Sequence, residues 1–320
     1  MVTIACCALH SGKARANTDR LRTTLLYSTY RWRDPGRGAG WKRAARRNCR
    51  AKRGILGGDA NINITGVSTN IIDTRRCRPI GKRLWSALQP IVDATTGTVV
   101  AHEALLRGPQ GTRWESPAAL FTAATKLGHR TILEANARHL AVARLPDLPI
   151  AQRLFINIDA LSPDMPATPG HREIPPQRLV LEISEQQPIL DNPGLLQQVQ
   201  AWRATGFAIA VDDYGAGYMG LGALLELRPD WLKLDRVITA GVDRDPAHWA
   251  AVRNMVELGV ALGTTIIAEG VETPAEFWAL RECGVRYMQG YLLGRPQEQP
   301  RVEVLLPHLS TRPKPMAVRA

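Results

Sequence analysis

At 320 residues and 45% hydrophobic, the chain can bury one large α/β core with an extension attached, and it reads poorly as two ordinary domains. A net charge of +12 points first to nucleic acid, but residues 1–83 carry 19 Lys and Arg against 4 Asp and Glu, while residues 84–320 carry 22 against 25. The positive charge therefore sits in the first quarter, and the larger part presents no net positive field to a nucleic acid.

Residues 1–83 read as a basic, disordered extension. From Thr29 to Arg53 the composition is rich in Arg and Gly and has no apolar period. This arm is either a solvated tail or a binding site for nucleic acid or anionic lipid, and its composition favours the tail. Residues 1–25 contain no sustained apolar stretch, so neither a signal peptide nor a transmembrane helix is expected. Cys6, Cys7, Cys49 and Cys77 all lie in this region, and Cys283 stands alone downstream. No CxxC spacing occurs, which makes a reducing cytoplasm the expected location.

A regular pattern runs from residue 84 to about residue 300, with a tail over 301–320. Apolar runs of strand length fall at 86–92, 98–106, 153–158, 178–183, 207–211, 231–234, 265–268 and 285–288. Four of the intervening segments carry helix punctuation. Ser116-Pro117, Asn192-Pro193 and Asp245-Pro246 each place a capping oxygen before a proline, and Thr273-Pro274-Ala275-Glu276 is a capping box. Gly128, Gly206, Gly263 and Gly284 supply the stops. Eight strands alternating with helices predict a parallel sheet closed as a TIM-type (β/α)8 barrel, whose active site sits at the strand C-termini. The Pro-rich segment between Asn157 and Glu182 breaks this pattern, so the helix expected there is short or replaced by a loop.

The downstream ends of these runs are polar: Glu103, Asn157, Glu182, the pair Asp212 and Asp213, Lys233, Glu269 and Gln289. A barrel brings them to one face. The acids and the amide offer only oxygen ligands, with no Cys and no nearby His, which selects hard cations such as Mg²⁺ or Mn²⁺ over zinc. At a strand end the chain can turn so that Asp212 and Asp213 reach one site and one of them bridges two ions, the usual arrangement for in-line phosphoester hydrolysis. Lys233 beside them can orient or deprotonate a water, or balance charge. Arg107, one strand turn beyond Glu103, has the fork geometry to hold a phosphate. Taken singly, each acid reads more simply as a cap or an ion-pair partner.

The motifs carry a resemblance. Glu103-Ala104-Leu105-Leu106-Arg107 resembles the signature of the EAL domains, the cyclic di-GMP phosphodiesterases. The family's further motifs follow in order: Asn157 in FINID, Glu182 and Glu185 in LEISE, Asp212 to Gly215 in VDDYGAGY, Lys233 and Asp235 in LKLD, Glu269 and Glu272 in AEGVET, and Gln289 in MQGYLLGRP. The resemblance covers about residues 84–297. It implies an EAL barrel that opens cyclic di-GMP to linear pGpG with two Mg²⁺ or Mn²⁺ ions and is inhibited by Ca²⁺. It further implies Glu103, Asn157, Glu182 and Asp212 as ligands of one metal, and Asp212, Asp213 and Glu269 as ligands of the second. Lys233 would act on the hydrolytic water, Gln289 would order substrate or water, and Arg107 would hold a substrate phosphate. Glu185, Gly215, Asp235 and Glu272 would stabilise loops, with Glu185 pinning residues 213–219, through which the family couples metal binding to a homodimer. For Asp235, a salt bridge to Lys233 and a direct catalytic part stand side by side. The loop Gly215-Ala216-Gly217-Tyr218-Met219 departs from the family's hydroxyl-rich version, which puts loop control in question more than ligation. Two further readings remain: a receptor that binds cyclic di-GMP without turnover, and nucleic-acid binding by the basic arm.

Overall fold

The structure, a computed structural model, describes residues 70–73, 78–158, 175–187, 192–217 and 219–307. Most of the basic extension, Tyr218 and most of the Pro-rich insert lie outside these residues. Strands β1 (Asn70–Asp73) and β2 (Arg78–Arg83), at the end of the extension, pair antiparallel as a separate two-stranded sheet.

Eight strands close a barrel: β3 (Trp85–Asp93), β4 (Val99–Arg107), β5 (Arg153–Asn157), β6 (Leu179–Ser184), β7 (Ala208–Tyr214), β8 (Trp231–Leu234), β9 (Thr265–Ala268) and β10 (Tyr287–Met288). Their order around the barrel is β10-β3-β4-β5-β6-β7-β8-β9. Every apolar run of the sequence became a strand. The expectation of an all-parallel sheet needs correction, because β3 runs antiparallel to both β4 and β10. Only residues 94–98 join β3 to β4, and a parallel crossover needs a dozen residues or more. Asp93 closes that tight turn by accepting the Thr95 N–H at 2.8 Å, and Arg286 at the foot of β10 holds the same carboxylate at 2.8 Å.

Among the described residues seven α-helices cover the barrel: α1 (Pro117–Lys126), α2 (Arg130–Val142), α3 (Pro193–Thr205), α4 (Leu221–Leu227), α5 (Arg236–Thr239), α6 (Pro246–Leu262) and α7 (Pro274–Glu282). The four punctuated helices start where their caps predict. Ser116 accepts from Ala119 N–H, Asn192 from Leu195 N–H and Asp245 from Ala247 N–H, and Thr273 with Glu276 forms the complete capping box. Helices α2, α4 and α5 escaped the sequence reading. The residue preceding α2 makes no side-chain cap, and α4 and α5 are short.

Strand alternation divides the core into two. Outward residues such as Leu88, Leu154, Leu181, Ile209, Leu232 and Ile266 pack beneath the helices, where Val199, Trp202, Val252 and Phe277 meet them. Inward residues Ile91, Ala101, Phe155, Val180, Ala210 and Ile267 fill the barrel, with Trp231 and Tyr287 packed below. Each fully buried Phe or Ile in that layer contributes roughly 1.5–3 kcal/mol. Moving two residues along each inward row toward the opposite mouth gives Gln89, Glu103, Asn157, Glu182, Asp212, Lys233, Glu269 and Gln289. The polar strand ends are thus the next layer of the barrel interior, seated on an apolar floor.

The C-terminal residues brace the antiparallel corner. Gln297 bridges to Leu88, Val304 N–H donates to Gly97, and Arg301 N–H donates to the buried His102 Nε2 at 3.2 Å. Burial pushes the His102 pKa down to about 4, so it accepts that bond as a neutral ring. No helix among the described residues is long and apolar enough to cross a membrane.

Candidate active site

The polar layer opens into a cavity of about 320 Å³ lined by Gln89, Glu103, Asp212, Asp213, Lys233, Asp235, Arg236, Glu269, Glu272, Gln289 and Tyr291. Lys233 stands at its base and is 1% exposed. Its Nζ lies 2.7 Å from Glu182 and from Asp212, 2.8 Å from Glu269 and 3.2 Å from Glu103. A buried ammonium is tolerable only with such compensation. The same Glu103 oxygen, Oε2, also accepts from Gln289 Nε2 at 2.7 Å. Asn157 Nδ2 donates to Glu182 at 3.3 Å, which places this amide beside the cluster at the rim.

Asp212 and Asp213 do share one side, and the backbone explains how. The register between β7 and β8 shifts from Val211 to Tyr214, and Asp213 adopts φ +56°, a left-handed conformation uncommon outside glycine. This bulge turns what would be an outward side chain toward the mouth. Glu103, Glu182 and Asp212 each offer a carboxylate oxygen within 4.8 Å of the others, and so do Asp212, Asp213 and Glu269. Asp212 belongs to both groups.

The electrostatics are unbalanced. Five acids share the site with one ammonium, and four of them contact it. Burial, reinforced by neighbouring carboxylates, pushes Glu182 and Glu269 well above the usual carboxylate range, and burial with the Asp212 charge pushes Asp213 up to about 6. Burial works against the Lys233 charge, yet Asp212, Glu103, Glu182 and Glu269 together hold its proton more tightly than in an ordinary lysine. Added positive charge would relieve this excess, and the oxygen-only donor set fits hard divalent cations.

The remaining predicted residues fall into three groups. Glu185, 2% exposed, accepts N–H bonds from Gly215 at 3.1 Å and from Gly217, so it holds the loop after β7. Glu272 pairs with Arg236 at 2.9 Å on the rim. The expected Asp235–Lys233 salt bridge is absent. Asp235 Oδ1 instead accepts the Val237 N–H at 2.7 Å and caps α5, because its backbone has already left the strand. Arg107 lies at the mouth with Nη1 donating to the Leu106 carbonyl at 2.8 Å, outside the lining of the acidic cavity.

Sequence reading missed Gln89. Its Oε1 accepts from Gln289 Nε2 at 3.2 Å while its Nε2 donates to the Gly294 carbonyl at 3.2 Å, which fixes the Gln289 amide as a donor to Glu103. The signal existed, since Gln89 lies opposite Glu103 in the register, but only an antiparallel β3 puts it there. Arg236 and Tyr291 were also passed over, for they lie beyond the strand ends.

The pattern of the EAL domain matches residues 76–296. The chain belongs to the EAL domain family. Similar curated proteins include the probable cyclic di-GMP phosphodiesterase PdeG of Escherichia coli, 32% identical over 223 residues, which are 65% of this chain and 43% of PdeG. The cyclic di-GMP phosphodiesterase RocR of Pseudomonas aeruginosa is 33% identical over 140 residues, 44% of this chain and 36% of RocR. The EAL chain therefore spans less than half the length of either relative. Among solved structures, Klebsiella pneumoniae BlrP1 in its manganese/cy-diGMP complex aligns with TM-score 0.61 and 29% identity, over 70% of this chain and 58% of BlrP1. The PaMucR phosphodiesterase in its c-di-GMP complex aligns with TM-score 0.58 and 29% identity, over 67% and 92% of the two chains.

Proposed function

We propose that this EAL domain hydrolyses cyclic di-GMP to linear pGpG with Mg²⁺ or Mn²⁺, two ions at a time. The observation that carries the reading is the pair of carboxylate groups sharing Asp212 beside a buried lysine, at the mouth of a barrel whose relatives are named for this activity. Glu103, Asn157, Glu182 and Asp212 would hold one ion, and Asp212, Asp213 and Glu269 the other. Ions held there supply Lewis-acid polarisation of a phosphodiester and an acidified water.

The chain's own groups do the rest. Lys233, fixed by its four carboxylates, orients the attacking water and offers positive charge to the developing phosphorane. Gln289, its amide set by Gln89, aligns Glu103 and the substrate network. Arg107 at the mouth meets a substrate phosphate once its guanidinium leaves the Leu106 carbonyl. Glu185, Gly215, Asp235 and Glu272 hold the loops that carry the ligands. A homodimer through the barrel and a cytoplasmic setting accompany this reading, and the barrel needs no nucleic-acid partner for it.

Chromatography of cyclic di-GMP incubated with the protein and Mn²⁺ tests the proposal, with Glu103→Gln alongside. Metal-dependent pGpG from the wild type and at least a hundredfold less from the variant is expected. Bound but unconverted nucleotide in the wild type would replace the enzyme by a receptor.

A further inference from the structure

Helix α5 is a single turn after Lys233, yet it touches the loops on both sides of it. Thr239, 1% exposed, donates its hydroxyl to the Glu269 carbonyl at 2.6 Å. Arg236 Nη1 donates to the Gly270 carbonyl, and its Nη2 pairs with Glu272 at 2.9 Å. The stem of Arg236 lies under Gly270, where an added Cβ would come within 2.9 Å of it. On the opposite flank Ile238 fills the space beside Gly215, so closely that a Cβ there would sit 2.3 Å from Ile238 Cδ1. His248 Nδ1 meets the Ile238 carbonyl at 2.9 Å and ties the turn to α6. Asp213 is the last residue but one of β7, two residues before the Gly215 that Ile238 packs against, and the loop after β9 begins with Glu269. The turn is thus a wedge between two of the three acids in the second carboxylate group.

We infer that α5 sets the separation of Asp213 and Glu269, and that the Thr239 hydroxyl is a positioning residue for Glu269. The inference rests on the metal-dependent reading above. Glu269 follows directly on the last residue of β9, and its N–H is already held by the Leu234 carbonyl at 3.0 Å. With its carbonyl held by Thr239, the peptide planes on both sides of this residue are fixed, which fixes where its carboxylate can reach. Groups that orient ligands in this way govern metal affinity by roughly 10–100-fold.

Calorimetric titration with Mn²⁺ alone, without nucleotide, tests this on the full chain. Thr239→Val keeps the shape and removes the donor, while Thr239→Ser keeps the donor. We expect two ions on the wild type and on Thr239→Ser. Thr239→Val should bind one of them at least tenfold more weakly, with a melting temperature in chelator within a few degrees of wild type. Arg236→Gln, a change on the half-exposed rim that the core does not feel, should weaken the same ion in the same direction. Wild-type affinities and stoichiometry in both Thr239→Val and Arg236→Gln would overturn the wedge while leaving the proposed activity standing. Equal losses in the Val and Ser variants would overturn the hydroxyl's part, and a wild type that binds no Mn²⁺ would overturn both readings.

Discussion

Replacing Lys233 by Met removes the one ammonium at the centre of the site while nearly preserving its volume. Three of the carboxylates it serves, Glu182, Glu103 and Asp212, are only 0%, 5% and 7% exposed, so water cannot take over its part. Breaking a buried ion pair by deleting one partner costs about 3–5 kcal/mol, because the remaining charge is left uncompensated. For a domain of this size each kcal/mol moves the melting temperature by about 2–4 °C, so a fall of roughly 6–20 °C is expected in chelator. Protonation of Glu182 and Glu269, both already displaced upward, will take up part of that cost and pull the result toward the lower figure. Divalent ions can supply the missing charge, so Mn²⁺ should raise the melting temperature of the variant more than that of the wild type. At about 100 times the dissociation constant, ligand binding adds about 2.7 kcal/mol, enough to be resolved. Differential scanning calorimetry with and without Mn²⁺ reads both effects. A variant that melts within about 2 °C of wild type in chelator would refute the claim that the ammonium neutralises this cluster.

Three further outcomes are expected. The folded pKa of His102, about 4, lies below the ordinary 6.5, so the unfolded chain takes up its proton first. The stability tied to its neutral ring is fully present above pH 6.5 and is lost as the pH falls through 4. It amounts to about 3 kcal/mol, and urea midpoints of wild type and His102→Asn should converge between pH 7 and pH 4.5. Gly215→Ala should destabilise the fold by about 1–3 kcal/mol and weaken Mn²⁺ binding, because φ is +108° there and the new methyl group meets Ile238; unchanged denaturation and Mn²⁺ titration curves would contradict this. Ca²⁺ should occupy the carboxylates but support at least tenfold less pGpG formation than Mn²⁺, since its longer, looser bonds misplace the water, and equal turnover would argue against a two-ion arrangement.

Much of this architecture was legible in the chain because it rests on local chemistry. Short apolar runs of strand length located all eight strands, and capping oxygens with prolines located four helices, since both signals depend only on neighbours in sequence. The ring of polar strand ends was legible for the same reason, as every one of them except Asp213 lies two residues beyond an apolar inward position. The direction of β3 was written in its five-residue connection to β4, though strand pattern alone is blind to it.

Other features exist only once the barrel closes. Gln89 joined the site because β3 runs backwards, and no spacing in the sequence pairs it with Glu103 and Gln289. The common side of Asp212 and Asp213 needs a left-handed residue at a bulge, which the strand preferences of the sequence argue against and which packing between β7 and β8 imposes. Asp235 was drawn to Lys233 by proximity in sequence and separated from it by the turn into α5. Sequence alone thus determined the fold class and the set of acids with their oxygen-only donor chemistry, because side-chain chemistry and short apolar runs are local. Which oxygens meet, which ammonium they enclose and which turn spaces them were decided by tertiary structure, because they depend on distances between residues as much as 200 positions apart.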